Sequence, residues 1–362
     1  MAKVPPMREG AILLTGELFR TVHGKTAHAL VRGPSRYRIQ GVVDPQLAGR
    51  DAGEVLDRVH RGIPIAGCLA DLLDRASPAP TYCVVAVATA GGRLPPQMRQ
   101  ELVQAARAGL SLVNGLHNLL SDDPELLALT EQQGARIIDL RKPRPTKQMR
   151  FWSGESLTLD TPRVAVLGTD CAIGKRTTCS LLTDACRRRG LRAEMIYTGQ
   201  SGWLQGYRHG FILDATPNDF VCGELEAAIL DCQRQQEPDL ILLEGQSALR
   251  NPSGPCGSEF IVSAGARAVI LQHAPGREFF TDMDRLGCRI PGIKDEIALV
   301  RLLGAEVVAV TMNDQDLDVA KAARLQSALR QELALPVVRP LSEGVDGLVE
   351  VLCSRLARRQ ST

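Results

Sequence analysis

Val164-Ala-Val-Leu-Gly168-Thr-Asp170-Cys-Ala-Ile-Gly174-Lys175-Arg176-Thr177-Thr178 is the stretch that decides the fold. An apolar run closes on a glycine, a short loop ends in Gly-Lys, and a helix-compatible segment from Thr177 to Arg189 follows. Strand, glycine-bounded loop and helix, in that order, form a phosphate-binding loop. Backbone N–H groups of such a loop and of the first helical turn converge on one spot, where the helix dipole adds partial positive charge. Lys175 adds a full one. The loop is expected to hold a di- or triphosphate, with Gly168, Thr169, Asp170, Cys171, Gly174, Lys175, Arg176 and Thr177 as its contact residues.

The loop departs from the ordinary pattern in two places. Five residues separate Gly168 from Gly174, where the common spacing is four. The residue after the lysine is ordinarily a Ser or Thr that ligates Mg²⁺; here it is Arg176. Thr177 comes one residue later, rotated by about 100° around a helix. Diphosphate binding is therefore expected, metal-assisted nucleotide hydrolysis is disfavoured, and no metal site is expected.

Outward from this loop, the 362 residues suggest two domains. A hydrophobic content of 44% with only 4% aromatic residues suits an α/β protein. The net charge of +2 gives no nucleic-acid or membrane surface. Ten scattered cysteines without a CxxC pair read as reduced thiols of a cytoplasmic protein. The opening MAKVPPMREG lacks a signal-peptide apolar core, and no apolar stretch is long enough to span a bilayer. A homo-oligomer acting on a small molecule is the expected assembly.

The segment 141–150, with two prolines and five basic residues, cannot pack a core. It separates a domain at 1–145 from one at 146–362. In the first, strands are expected at Ala11–Leu14, Arg38–Val43, Tyr82–Val87, Ser111–Val113 and Arg136–Asp139, with helices at Pro96–Ala108 and Pro124–Gln133. In the second, strands are expected at Arg163–Leu167, Arg192–Tyr197, Asp239–Leu243, Ala268–Leu271 and Val307–Thr311. Its helices are expected at Thr177–Arg189, Phe220–Gln235, Lys294–Leu303 and Val319–Leu333. Such alternation predicts parallel sheets with helices on both faces. In the first domain Thr89-Ala-Gly-Gly-Arg93 and Asn114-Gly-Leu-His117-Asn118 follow strands, but no GxGxxG is present, so a dinucleotide role has little support.

Several polar clusters follow strands of the second domain, which places them at the same sheet edge as the phosphate loop. In Tyr197-Thr-Gly-Gln200-Ser201-Gly202, Gln200 and Ser201 are expected to face substrate. Asn218 and Asp219 open a helix; Asp219 is a substrate candidate, with a plain N-cap as the alternative. Glu244 ends four apolar residues where a Walker-B carboxylate would stand, and an unpaired buried carboxylate is costly without a role. His273, placed just past a strand, suits a base near neutral pH or a structural hydrogen bond. Asn313 would read a base edge or start a turn. Arg208, Arg250, Arg277 and Lys294 lie in loops and are candidates for substrate carboxylates that the sequence does not rank; Arg277 is expected as a substrate-binding residue.

The loop GTDCAIGKRTT is similar to the GTDTxVGKT loop of dethiobiotin synthetases, matching at Gly168, Thr169, Asp170, Gly174 and Lys175. It lacks the early second lysine of the partition-type ATPases. Over nearly its full length the chain resembles the D-glutamate N-acetyltransferase family. The resemblance is carried by GTDCAIGKRTT, YTGQSG, NDFVCGELE, LLEGQSAL and LQHAPGR in this order. It implies a Rossmann-like N-terminal domain, a P-loop NTPase-like C-terminal domain, and acetyl transfer from acetyl-CoA to the amine of D-glutamate in amino-acid catabolism. A phosphate loop without a metal ligand suits the diphosphate of coenzyme A, with Arg176 pairing phosphate.

Direct attack in a ternary complex needs a base, for which Glu244 and His273 are the candidates. Cys171, near a helix N-terminus, offers an acetyl-cysteine route, although no partner base is evident. The leading alternative is an ATP- and Mg²⁺-dependent kinase or ligase of the dethiobiotin-synthetase kind, and a further one is a non-catalytic nucleotide sensor.

Overall fold

In the computed structural model, which describes residues 9–315 and 317–359, the chain forms two compact α/β units. One runs to Pro143 and also takes in Gln200–Tyr207; the other holds Arg144–Gly199 and the chain from Arg208 onward. A single boundary at residue 145 does not describe this path, because the chain leaves the second unit for eight residues and returns. No helix among the described residues is long and apolar enough to cross a membrane.

The first unit is a six-stranded sheet of β1 (Gly10–Leu14), β2 (Arg38–Val43), β3 (Ile65–Ala66), β4 (Tyr82–Val85), β5 (Ser111–Asn114) and β6 (Ile137–Asp139). All its pairings are parallel, in the order β3-β2-β1-β4-β5-β6. β1 and β4 are apolar along their whole length and fully buried, as expected for central strands covered on both faces. The helix Pro124–Gln132 starts where the sequence places it: Pro124 has no N–H to lose, and the Asp123 carboxylate caps the N–H groups of Glu125 and Leu126. The helix Lys25–Arg32 was not expected, since its small apolar residues Ala27, Ala29 and Leu30 carry too short a period to stand out.

This strand order is that of dinucleotide-binding folds, whose cofactor lies across the point where the order reverses, here between β1 and β4. The residues do not fit such a cofactor. The loop after β1 folds back on itself, and Phe19 is fully buried in the core formed by Leu13, Leu30 and Val42. The carbonyl oxygens of Phe19 and Leu18 crowd Gly24, at 2.5 and 2.7 Å from where its Cβ would be, so acceptors rather than donors cover the start of the helix. Asp44, at the end of β2 where a ribose would be recognised, is buried and accepts from the backbone N–H groups of Phe19 and Gln46 at 3.2 and 3.1 Å.

The second unit is a seven-stranded, wholly parallel sheet in the order β13-β12-β11-β7-β10-β8-β9. Its strands are β7 (Arg163–Gly168), β8 (Ala193–Tyr197), β9 (His209–Gly210), β10 (Leu240–Glu244), β11 (Ala268–His273), β12 (Glu306–Met312) and β13 (Val337–Val338). β7, central and buried throughout, aims the phosphate loop at the carboxyl edge of the sheet. The helices Lys175–Arg188, Asn218–Gln236, Ile293–Leu302 and Val319–Leu333 match the expected segments to within two residues at either end. β11 runs two residues beyond its expected end, so His273 is the last residue of a strand rather than part of the following loop. The terminal helix Asp346–Arg359 was not expected.

Nicotinamide dinucleotides at millimolar concentration should leave the melting temperature of the full chain unchanged, because the β1 loop fills their place. A ligand at a hundred times its Kd would add about 2.7 kcal/mol and raise the melting temperature by a few degrees; such a rise would show the cleft to be open.

Candidate functional site

The phosphate loop spans the gap between β7 and the helix Lys175–Arg188. Gly168 is required by close packing, since a Cβ there would lie 2.9 Å from the Ile173 side chain and 3.0 Å from that of Lys175. Gly174 makes the turn into the helix with φ +107°, a conformation open to glycine, so the helix begins at Lys175, two residues before the expected Thr177.

The loop is held by side chains that follow two other strands, β11 and β12. Asp170 is fully buried; its Oδ1 accepts from the Cys171 N–H at 2.6 Å. Its Oδ2 accepts from Arg277 at 3.1 Å and from the N–H and hydroxyl of Thr281 at 3.1 and 2.8 Å. Arg277 also donates to the carbonyls of Cys171 and Ala172 at 2.9 and 3.3 Å. Asp170 and Arg277, expected at cofactor and substrate, thus meet each other and clamp the loop. Asn313, expected at a base edge or a turn, donates to the Ile173 carbonyl at 3.0 Å and accepts from Gln315 N–H at 2.8 Å, which is the turn. A tight loop turns its N–H groups toward the ligand and its carbonyls outward, so it needs such donors behind it.

Lys175 is buried, and its ammonium donates to the carbonyls of Asp170 and Ser247 at 2.6 and 2.7 Å. Ser247 sits in the left-handed region, with φ +43°, a strain of the kind that clusters at functional sites. Cys171 donates its thiol to Ser247 Oγ and accepts from Asn251 Nδ2, both at 3.6 Å.

Glu244 is the last residue of β10 and is 3% exposed. Its Oε2 accepts from the Thr198 N–H at 3.0 Å, while the Thr198 hydroxyl donates to the Glu244 carbonyl at 2.6 Å and receives Gln246 Nε2 at 3.1 Å. Burial pushes the Glu244 carboxyl up to about 7, against the pull of the Arg176 and Lys175 cations and the N–H groups of Thr198 and Gly199. His273 bonds the Thr169 hydroxyl through Nδ1 at 3.0 Å, and burial pushes its imidazole down to about 4. It is therefore neutral at pH 7 and a poor proton acceptor, which departs from the expected base near neutrality.

Glu244, His273, Lys175 and Arg176 come together around the loop. Gln200 and Ser201 belong to the first unit, where Gln200 packs against Gly115. Asp219 is exposed in the first turn of its helix, whose N-cap is Pro217 rather than Asn218 or Asp219. Arg250 is engaged by Glu296 at 2.6 Å, Lys294 by Glu332 at 3.0 Å, and Arg208 is exposed. Thr198, Gln246, Ser247 and Thr281 were missed as partners in this network. Three of them lie inside motifs that were singled out, but their partners are remote in sequence, so only the fold reveals the pairing.

Residues 150–349 match the family model described as a domain of unknown function (DUF1611_C), P-loop domain. Residues 45–143 match the companion DUF1611_N, Rossmann-like domain. A protein named D-glutamate N-acetyltransferase from Tritonibacter scottomollicae is 29% identical over 278 residues, covering 75% of this chain and 80% of that protein. A protein of the same name from a Pseudoalteromonas species is 27% identical with the same coverage. The crystal structure of a DUF1611 family protein from Anabaena variabilis superposes with a TM-score of 0.86 at 30% identity, covering 96% of this chain and 99% of that one. Phosphate-loop domain, Rossmann-like domain and near-complete structural overlap agree, and the chain belongs to the DUF1611 family.

Proposed function

We propose that this protein is an N-acetyltransferase that moves the acetyl group of acetyl-CoA to the amine of D-glutamate. Its phosphate loop would hold the diphosphate of coenzyme A, and Glu244 would be the base. The observation that carries this reading is a buried carboxyl group poised near neutrality beside a phosphate loop that has arginine in place of the metal-ligating hydroxyl. The relatives named D-glutamate N-acetyltransferase supply the substrate class.

The chemistry follows from these groups. An amine attacks a thioester only as the free base, so the acceptor ammonium must first lose a proton. A carboxylate with a pKa near 7 takes that proton at physiological pH and releases it afterwards. The tetrahedral oxyanion then collapses and expels the CoA thiolate, a good leaving group because a thiol pKa is about 8.5, and the second proton on the attacking nitrogen passes to that sulfur. No phosphoryl bond breaks, so the loop has only to bind. Two cations beside Glu244 favour a phosphate and work against a divalent metal in the same place. Asp170, whose carboxylate is taken up by Cys171, Arg277 and Thr281, is not available as a metal ligand without dismantling the loop.

Thiol release from acetyl-CoA should appear with D-glutamate in the absence of ATP and Mg²⁺ and be lost in Lys175→Ala. Product formation that requires ATP and Mg²⁺, with no thiol released, would overturn the reading in favour of a kinase or ligase.

Glu244→Gln should lower turnover by about 10²–10⁴ while leaving CoA affinity nearly intact. The pH profile gives the independent check. The base works when deprotonated, so kcat/KM should fall about tenfold per unit of pH below 7 and level off above it. That acid limb should vanish in Glu244→Gln and persist in His273→Asn. An unchanged limb in Glu244→Gln would remove Glu244 from the role of base.

A further inference from the structure

Gln272 is 2% exposed and stands in β11 beside β7, in register with Gly168, the first residue of the phosphate loop. Its carbonyl Oε1 accepts from two hydroxyls at once, Thr178 Oγ1 on the helix after the loop and Thr311 Oγ1 on β12, each at 2.6 Å. Two donors on one oxygen fix which end of the amide is which, and they send Nε2 to the opposite side. There it meets the turn of the phosphate loop: a Cβ built on Gly174 would lie 3.8 Å from Nε2. Among the described residues Nε2 has no hydrogen-bond partner, although the side chain is almost wholly buried. The amide nitrogen is not sealed from solvent, so a ligand oxygen can reach it, and two elements of the fold, the helix after the loop and β12, fix its direction.

We infer that Gln272 is a ligand-contacting residue of the phosphate loop, its Nε2 group donating to an anionic oxygen of the diphosphate held there. This rests on the reading of the loop as a diphosphate holder. Gln272 adds a neutral side-chain donor to the backbone N–H groups and the cations of Lys175 and Arg176. The amide is locked in direction by Thr178 and Thr311, so it selects where an anionic oxygen sits as well as attracting it.

The test uses the full chain and Gln272→Glu, which keeps the shape and an acceptor for both threonines but replaces the donor with a carboxylate oxygen. Gln272→Met, which removes the donor without adding charge, is the second variant. Binding of inorganic pyrophosphate, ADP and CoA is measured by calorimetric titration, with the melting temperature of each variant recorded alongside. Loss of one hydrogen bond to a charged group should weaken pyrophosphate binding about tenfold to a hundredfold in Gln272→Met, and further in Gln272→Glu. Pyrophosphate affinity within twofold of wild type in folded variants would overturn the inference. So would a lowered melting temperature with affinity unchanged, which would make Gln272 a purely structural bridge.

The two readings fail separately. A wild-type chain that binds pyrophosphate and ADP but not CoA defeats the CoA assignment and leaves Gln272 to be judged on pyrophosphate. A wild-type chain that binds CoA, with variants that bind every probe equally well, defeats only the role of Gln272. A wild-type chain that binds none of the three probes overturns both.

Discussion

The buried carboxylate of Asp170 is the contact on which the site depends. It lies at the tip of a loop too tight to satisfy its own carbonyls, and it engages Cys171, Arg277 and Thr281 at once. Arg277, held there, donates outward to the carbonyls of Cys171 and Ala172. Removal of Arg277 would leave the buried Asp170 carboxylate with only the Cys171 and Thr281 donors. This ring of side chains occupies the carbonyls of Cys171, Ala172 and Ile173 from behind the loop.

The same economy of charge sets the behaviour of Glu244. Burial at the end of a parallel strand raises its pKa, while two cations and two backbone N–H groups pull it back. The balance ends near neutrality, where a group can both accept and release a proton. His273 has burial without a compensating charge, so its imidazole stays neutral and serves the Thr169 hydroxyl. Two titratable side chains at the ends of the strands that flank β7 are thus pushed in opposite directions, because burial disfavours the charged form of each.

The first unit shows that topology alone does not carry a binding site. Its strand order is that of dinucleotide-binding sheets, yet the loop after β1 buries Phe19 and commits Asp44 to backbone N–H groups.

Much of the fold was legible in the sequence because its signals are local. Apolar runs of four to six residues ending in glycine or a polar residue marked the central strands, and Gly174-Lys175 marked the phosphate loop. The short helices of the first unit and the last helix of the chain were not legible, since their apolar faces are too brief or too mixed to stand out. Glu244 could be singled out as a charge closing an apolar strand, and His273 as a titratable side chain just past another. The tertiary structure decided everything that depends on a remote partner. It turned Arg277 from a substrate residue into the clamp of Asp170, assigned Gln200 and Ser201 to the other unit, and set the opposite pKa shifts of Glu244 and His273. Backbone propensity and hydrophobic period act over a few residues and can be read in order along the chain. Desolvation and hydrogen bonding act through space between residues 107 apart for Asp170 and Arg277 and 140 apart for Ile173 and Asn313, and exist only once the sheet has brought them together.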